Sequence, residues 1–94
     1  MNLPYSLENS TSRILTVSEL NRNTKQLLEQ NIPLLWVQGE ISNLKRYPSG
    51  HWYFSLKDAN AQVRCAMFKG QNQRVAFKVT EGSKIKLRAK VSLY

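Results

Sequence analysis

Aromatic and cationic side chains recur through the middle and end of this sequence, and their chemistry suits a polymer of flat rings and phosphates. Exposed aromatic rings stack on nucleobases, while Lys and Arg side chains pair with phosphate groups. A protein that binds single-stranded nucleic acid needs both kinds of side chain on one surface. We predict that this surface consists of Lys45, Arg46, His51, Tyr53, Lys57, Arg64, Phe68 and Arg88, with Tyr47 beside the first two.

Structural roles compete with binding at several of these positions. Tyr53 also suits a half-buried strand position, because aromatic residues have a high β-propensity. His51 also fits the role of an ordinary polar strand residue. Phe68, at the predicted end of a strand, fits both a binding role and a structural role. Arg64 has the strongest case for binding among the cations, since apolar neighbours flank it on both sides.

No catalytic constellation accompanies these residues. The six acidic residues are scattered, without the clustered carboxylates that metal-assisted phosphodiester cleavage requires. A glycine-rich phosphate loop and a Ser-His-Asp arrangement are both missing. One His and one Cys are too few for a zinc site made by protein ligands alone, and Cys65 is expected to be a small core residue. We therefore predict a non-catalytic binding module with no cofactor and no metal.

The positive charge is concentrated in the second half of the chain. Residues 1–43 contain three basic and four acidic side chains, whereas residues 44–94 contain eleven basic and two acidic ones. Such a concentration of positive charge attracts polyanions, although it also favours solubility. With 94 residues, 41% of them hydrophobic, we expect one small domain. We expect it in the cytoplasm and without membrane contact, because no apolar run is long enough for a membrane span or a secretion signal.

Three strands are predicted to position the central residues. Alternating apolar residues indicate a first strand that begins at Leu35, followed by strands over 51–57 and 62–68. A loop over 43–50 and a short turn at 58–61 connect them, so we expect an antiparallel meander. Strand side chains alternate between two faces. On the second strand the predicted core face holds Trp52, Phe54 and Leu56, and the opposite face holds His51, Tyr53, Ser55 and Lys57.

The remaining elements are a helix and a last strand. A flexible leader is expected at 1–13 and a helix over 16–30, because Thr16 and Glu19 have the spacing of a capping box. The apolar stripe of this helix suits packing on the sheet, with partner binding as the alternative. Trp36 alternates with the core residues Leu35, Val37 and Ile41 and is expected to pack under the helix. The last strand, 84–94, alternates apolar residues with cations that suit either phosphate contact or protection of a sheet edge.

Three motifs, together with the spacing between them, closely resemble the N-terminal domain of the exodeoxyribonuclease VII large subunit. They are WVQGEISN at 36–43, SGHWYFSLKD at 49–58 and VRCAMF at 63–68. The resemblance implies an OB-fold over 14–94 that binds single-stranded DNA for a bacterial nuclease, whose catalytic region lies elsewhere in a longer chain and degrades single strands to oligonucleotides. It also implies a short helix near 72–77 and a small subunit that joins the enzyme through other parts of that chain.

An OB-fold is a five-stranded Greek-key barrel, whereas this sequence predicts four strands. We therefore expect a mainly β fold with an N-terminal helix, in which the barrel lacks its last strand and an open edge is available for self-association. Two other functions fit the same residues. One is an RNA- or transfer-RNA-binding OB module, since the same face accepts a ribose strand. The other is a protein-protein assembly module of a nuclease complex.

Overall fold

The computed structural model describes residues 4–7 and 14–93. They belong to two compact units, Leu34–Ala89 and a second unit that combines Met1–Pro33 with Lys90–Tyr94. Most of the predicted leader, 1–3 and 8–13, lies outside the described residues, as does Tyr94. In the described part of the chain, no helix is both long enough and apolar enough to cross a membrane.

Helix α1, Val17–Asn31, belongs to the second unit and begins with the predicted capping box. Thr16 Oγ1 accepts a hydrogen bond from Glu19 N at 3.1 Å, and Glu19 Oε1 accepts one from Thr16 N at 3.2 Å. These two bonds satisfy amide groups that the first helical turn leaves without intrahelical partners. In the same unit, Ser92 Oγ donates to Glu29 Oε1 at 3.0 Å. Packing of α1 on the sheet stays a prediction.

An antiparallel sheet of four strands forms the unit Leu34–Ala89. The strands are β1 (Leu35–Arg46), β2 (Trp52–Lys57), β3 (Gln62–Met67) and β4 (Lys84–Ala89), in the spatial order β3-β2-β1-β4. The first half of β1 pairs with β4 and its second half pairs with β2. The predicted meander is therefore confirmed, and within the described residues the sheet is open between β3 and β4.

The hydrophobic core lies on one face of this sheet. Ile41, Phe54 and Leu56 are buried there, together with Val79 from the connection that precedes β4. As the alternation predicted, the half-buried Trp52 joins this core. We call the opposite face of the sheet the outer face; by strand register it carries Trp36, Glu40, Lys45, Tyr53, Ser55, Lys57, Arg64, Lys84, Lys86 and Arg88.

A β-bulge makes β1 longer than predicted. Asn43 has a left-handed φ of 54°, which asparagine tolerates better than most residues, and the pairing with β2 slips between Ser42 and Lys45. The N–H of Leu44, within the bulge, donates to the Glu81 carboxylate instead of joining the ladder. Pairing resumes after the bulge, so the predicted loop over 43–50 is wrong in its first half and the turn begins only after β1.

Two other bounds also differ from the sequence prediction. Helix α2 spans Lys69–Asn72 rather than 72–77, because the Phe68 carbonyl accepts the amides of Gln71 and Asn72 at 2.9 and 3.1 Å directly after β3. β4 ends at Ala89 rather than at residue 94. Its partner β1 begins at Leu35, which lies opposite Ala89, so β1 offers no residue that could pair with the chain beyond Ala89.

Gly39 marks a close approach of β1 to β2. A Cβ atom on Gly39 would lie 2.8 Å from Leu56 Cγ and 2.9 Å from the carbonyl oxygen of Lys57. Carbon contacts are favourable at about 3.5 to 4.0 Å. The strands therefore come this close only because the residue has no side chain.

Candidate nucleic-acid interface

A groove on the outer face brings together three of the predicted binding residues, Lys45, Tyr53 and Arg64. Lys45 lies directly opposite Tyr53 across the β1–β2 pair, and Arg64 lies two residues along β3 from the position opposite Tyr53. Tyr47, Pro48 and Ser49 of the β1–β2 turn complete the lining. We call this site the tyrosine groove.

The two rings of the tyrosine groove contact each other edge to face. The centroids of Tyr47 and Tyr53 are 5.4 Å apart, with an angle of 79° between the ring planes. Such a contact contributes about 0.5 to 1.5 kcal/mol beyond the burial of area. It holds the turn residue against the strand residue, while Tyr47 remains 48% exposed. An aromatic surface is thus positioned between two cations before any ligand arrives.

Arg46 does not line this groove, and the prediction that it lies in the loop over 43–50 is wrong. It is the last residue of β1 and lies opposite Trp52, on the core side of the sheet. Its guanidinium carbon lies 4.8 Å from the centroid of the Trp52 ring, and Nη2 donates to the carbonyl oxygen of Val79. The bulge at Asn43 is the physical reason, since one extra residue exchanges the faces of all the positions that follow.

His51 and Phe68 contact each other rather than the tyrosine groove. Their ring centroids are 5.3 Å apart and the rings are nearly perpendicular, at 81°. His51 Nδ1 accepts the backbone N–H of Lys69 at 3.1 Å, so this nitrogen carries no proton in the observed arrangement. The two residues lie just outside β2 and β3, and they connect the β1–β2 turn to the start of α2.

Lys57 and Arg88 lie on the outer face but outside the tyrosine groove. Lys57 faces Glu40, which in turn faces Lys84 on β4. These three side chains line a second depression, and its other lining residues are Gln38, Gly39, Asp58, Ala59, Ile85 and Lys86. Arg88 lies further along β4, opposite Trp36.

Trp36 is an outer-face residue that is missing from the predicted binding residues. Its predicted alternation with the core residues is confirmed, because its neighbours Leu35 and Val37 are half-buried on the core side and a residue between them must point the other way. Its exposure was not predicted: 69% of the surface of Trp36 is exposed within the described chain.

Burial and local hydrogen bonds shift two pKa values. Burial raises the pKa of the Cys65 thiol above its ordinary value of 9.0, as expected for a small residue that faces the core. The backbone amides of Asn60 and Ala61 lower the pKa of Asp58; they donate to its Oδ1 at 2.8 and 2.9 Å in the β2–β3 turn. Among the described residues, no group of three or more His, Cys, Asp and Glu side chains is placed to hold a metal ion.

Comparison with known proteins identifies relatives over most of the chain. This chain is 60% identical to the exodeoxyribonuclease 7 large subunit of Nitrosomonas eutropha, over 83% of this chain and 17% of that protein. The large subunit of Nitrosomonas europaea is 63% identical over the same shares. The one from Photobacterium profundum is 49% identical over 96% of this chain and 20% of that protein. The chain thus spans about a fifth of the length of these relatives, and the resemblance seen in the three motifs is confirmed.

The family model for the OB-fold nucleic acid binding domain matches residues 15–94. Its match covers α1 and all four strands, so the fold class that the sequence predicted is confirmed. The open sheet, with β1 long and paired on both sides, agrees with an OB-fold in which four strands are described. The chain belongs to the family of OB-fold nucleic-acid-binding domains.

Proposed function

We propose that this domain binds single-stranded DNA through the tyrosine groove and presents the strand to the catalytic region of an exodeoxyribonuclease 7-like nuclease. The observation that carries the proposal is the contact between Tyr47 and Tyr53, with Lys45 and Arg64 lining the same groove. Rings that stack on bases and cations that meet phosphates are the two requirements for binding a single strand.

The comparisons support a nuclease as the whole protein. The relatives are named exodeoxyribonuclease 7 large subunits, and about four fifths of their length lies outside the matched region. We assign hydrolysis to that larger part and a non-catalytic role to this domain. The name of the relatives also supports a small subunit as a partner of the whole protein, reached through other parts of it.

Stacking rather than base-edge recognition should make binding tolerant of sequence. Every base has a flat face, so an aromatic platform accepts all four. The groove residues that carry charge, Lys45 and Arg64, suit the phosphate backbone, which is the same at every nucleotide. We therefore expect affinity to depend strongly on salt and weakly on base composition.

Fluorescence anisotropy with a labelled oligonucleotide of about 16 nucleotides, the upper end of OB-fold site sizes, tests the proposal. The single strand should bind better than the duplex of the same sequence. Tyr53→Ala should raise Kd by between about 5-fold and 150-fold, the loss of one stacked base. Tyr53→Phe is the matched control, because it keeps the ring and should retain most of the affinity.

Arg64→Ala tests the phosphate contact. It should reduce the slope of log K against log salt by about 0.7, the effect of one phosphate contact on a single strand. Arg74→Ala removes the same charge from an exposed position after α2 and should leave the slope unchanged. Equal effects of the two variants would show that the net charge, and not the groove, governs binding.

Three outcomes would redirect the assignment. Tighter binding of an RNA strand of the same sequence would favour an RNA-binding module, because only the 2′-hydroxyl distinguishes the two ligands chemically along the backbone. Equal affinity for single strands and duplex would reject the stacking groove. Salt-insensitive binding to a protein subunit, without binding to oligonucleotides, would favour an assembly module.

A further inference from the structure

The β1–β4 side of the outer face combines an exposed tryptophan with cations. Trp36 is the large aromatic residue with the greatest exposure in the unit Leu34–Ala89, at 69%. Arg88 lies directly opposite it across the β1–β4 pair, and Lys86 lies opposite Gln38 on the same face. Directly opposed residues of antiparallel strands have their Cβ atoms about 4.5 to 5.5 Å apart. An indole ring and a guanidinium therefore project side by side from the sheet.

The chemistry around Trp36 favours an anionic, ring-bearing ligand over an apolar one. All three outward residues of β4, namely Lys84, Lys86 and Arg88, are cationic and exposed. A solitary exposed apolar residue needs no explanation, but a ring beside a row of cations has the same composition as the tyrosine groove. Indole is also the strongest partner among side chains for a cation over its face.

We propose that Trp36 and Arg88 form a second stacking position for a nucleobase and its phosphate, so that one nucleic-acid strand crosses the outer face from the tyrosine groove to β4. This inference rests on the proposed function and extends it. Lys45, which faces Tyr53, is nine positions after Trp36 on β1. At about 3.3 Å per residue, the two positions are on the order of 30 Å apart along the strand. At about 3.4 Å per nucleotide, this distance corresponds to about nine nucleotides, within the OB-fold site sizes of roughly 4 to 16 nucleotides.

Affinity measurements with the oligonucleotide of about 16 nucleotides test the second position. Trp36→Ala should raise Kd between about 5-fold and 150-fold, whereas Trp36→Phe, which keeps a ring, should raise it less. Arg88→Gln should reduce the salt slope by about 0.7. Phe77→Ala is the matched control, because Phe77 is an exposed ring in the connection before β4 and not on the outer face. It should leave Kd unchanged.

Tryptophan fluorescence gives a local readout that does not depend on the stability of Trp36→Ala. The chain has two tryptophans, so Trp52→Phe leaves Trp36 as the only indole. In that variant acrylamide should quench the emission of the free protein, and oligo(dT) should quench it further, with a midpoint equal to the Kd from anisotropy. Circular dichroism of each variant establishes that it is folded.

The outcomes separate this inference from the proposed function. If Tyr53→Ala weakens binding while Trp36→Ala does not, and oligo(dT) leaves the Trp36 emission unchanged, the second position is refuted and the tyrosine groove stands. If acrylamide fails to quench Trp36 in the free protein, another segment of the chain covers the ring and the second position is also refuted. If no single strand binds at all, both assignments fall.

Discussion

Replacing Arg46 with alanine should destabilise the domain without removing a nucleic-acid contact. The sequence suggests the opposite, because Arg46 stands between two residues of the tyrosine groove, Lys45 and Tyr47. In the structure its guanidinium instead lies over the Trp52 ring at 4.8 Å and donates to the carbonyl of Val79. It therefore joins the end of β1 to the connection that supplies a buried core residue.

The magnitude follows from these two contacts. A cation over an aromatic ring at an exposed site contributes about 0.5 to 1 kcal/mol. A hydrogen bond from a charged group contributes about 1.5 to 3 kcal/mol, and the exposure of Arg46 favours the low end of both contributions. Arg46→Ala should therefore lower the free energy of unfolding by about 2 kcal/mol. For a domain of this size, each kcal/mol shifts Tm by about 4 to 8 °C, so Tm should fall by between about 8 and 16 °C.

Thermal unfolding followed by circular dichroism, together with anisotropy well below Tm, measures both effects. Arg64→Ala should show the reverse pattern, with little change in Tm and a lower salt slope for binding. Arg74→Ala gives the baseline for losing one positive charge. Arg46→Lys keeps the charge but not the planar guanidinium, and should recover only part of the stability. If Arg46→Ala has a normal Tm and weakens binding as much as Arg64→Ala, the placement of Arg46 on the core side is refuted.

Three further predictions concern the core side and the β2–β3 turn. Gly39→Ala should lower the free energy of unfolding by about 1 to 2 kcal/mol in urea titrations. Overpacking against Leu56 destabilises the folded state by about 1 to 3 kcal/mol, whereas the lower conformational entropy of the unfolded chain stabilises it by about 0.4 to 1 kcal/mol. Gly70→Ala, where an added Cβ has no neighbour within 4 Å, should not destabilise, and equal results for the two glycines would contradict the close approach. The lowered pKa of Asp58 means that its contribution to stability is present above the ordinary value of 3.8 and is lost as the pH falls through the folded-state value. The Tm difference between Asp58→Ala and wild type should therefore shrink in acid, and a difference that grows would reject the turn contacts. The thiol of Cys65 should be alkylated with a pH midpoint above 9.0. A midpoint below that value would show that the face of β3 that carries Cys65 is not buried.

Much of the sheet was predictable because apolar and polar residues alternate along a strand that buries only one face, and this alternation is a strong signal. The sequence predicts that Trp52, Phe54 and Leu56 share the core face and that Tyr53 points away, and the structure agrees. It also predicts β4 as a strand with cations on one side, and the alternation of buried and exposed positions agrees. Helix α1 differs from its predicted bounds by one residue at each end, because its capping box involves residues only three positions apart.

The bulge at Asn43 was not predictable from alternation, since a single extra residue is invisible to a period of two. Counting in twos from the buried Ile41 places Lys45 on the core side, whereas the bulge places it on the outer face beside Tyr53. The bulge is fixed by Glu81, which accepts the N–H of Leu44 from 37 positions away. Long-range contacts of this kind leave no local pattern in the sequence.

The bounds of helix α2 and the exposure of Trp36 were not predicted, for different reasons. The stretch after β3 has no decisive apolar period, so its single helical turn depends on the carbonyl of Phe68 and on the Gln71 side chain, which accepts the Phe68 amide at 3.2 Å. For Trp36 the alternation with Leu35, Val37 and Ile41 indicated the face opposite the core, but alternation alone does not tell whether another element covers a residue on that face.

The connectivity of β1 has a consequence for the order of folding. Its pairing with β2 closes a short turn, and β2 pairs with β3 in the same way. Its pairing with β4 joins Gly39 to Ile85, 46 positions later in the sequence, and the entropy cost of closing a loop rises with its length. We expect the β1–β2–β3 meander to form in the transition state and β4 to dock afterwards. Substitutions in β4 should then speed unfolding more than they slow folding. The tyrosine groove, built from the meander and its first turn, would be complete at a stage when Trp36 still lacks Arg88 beside it.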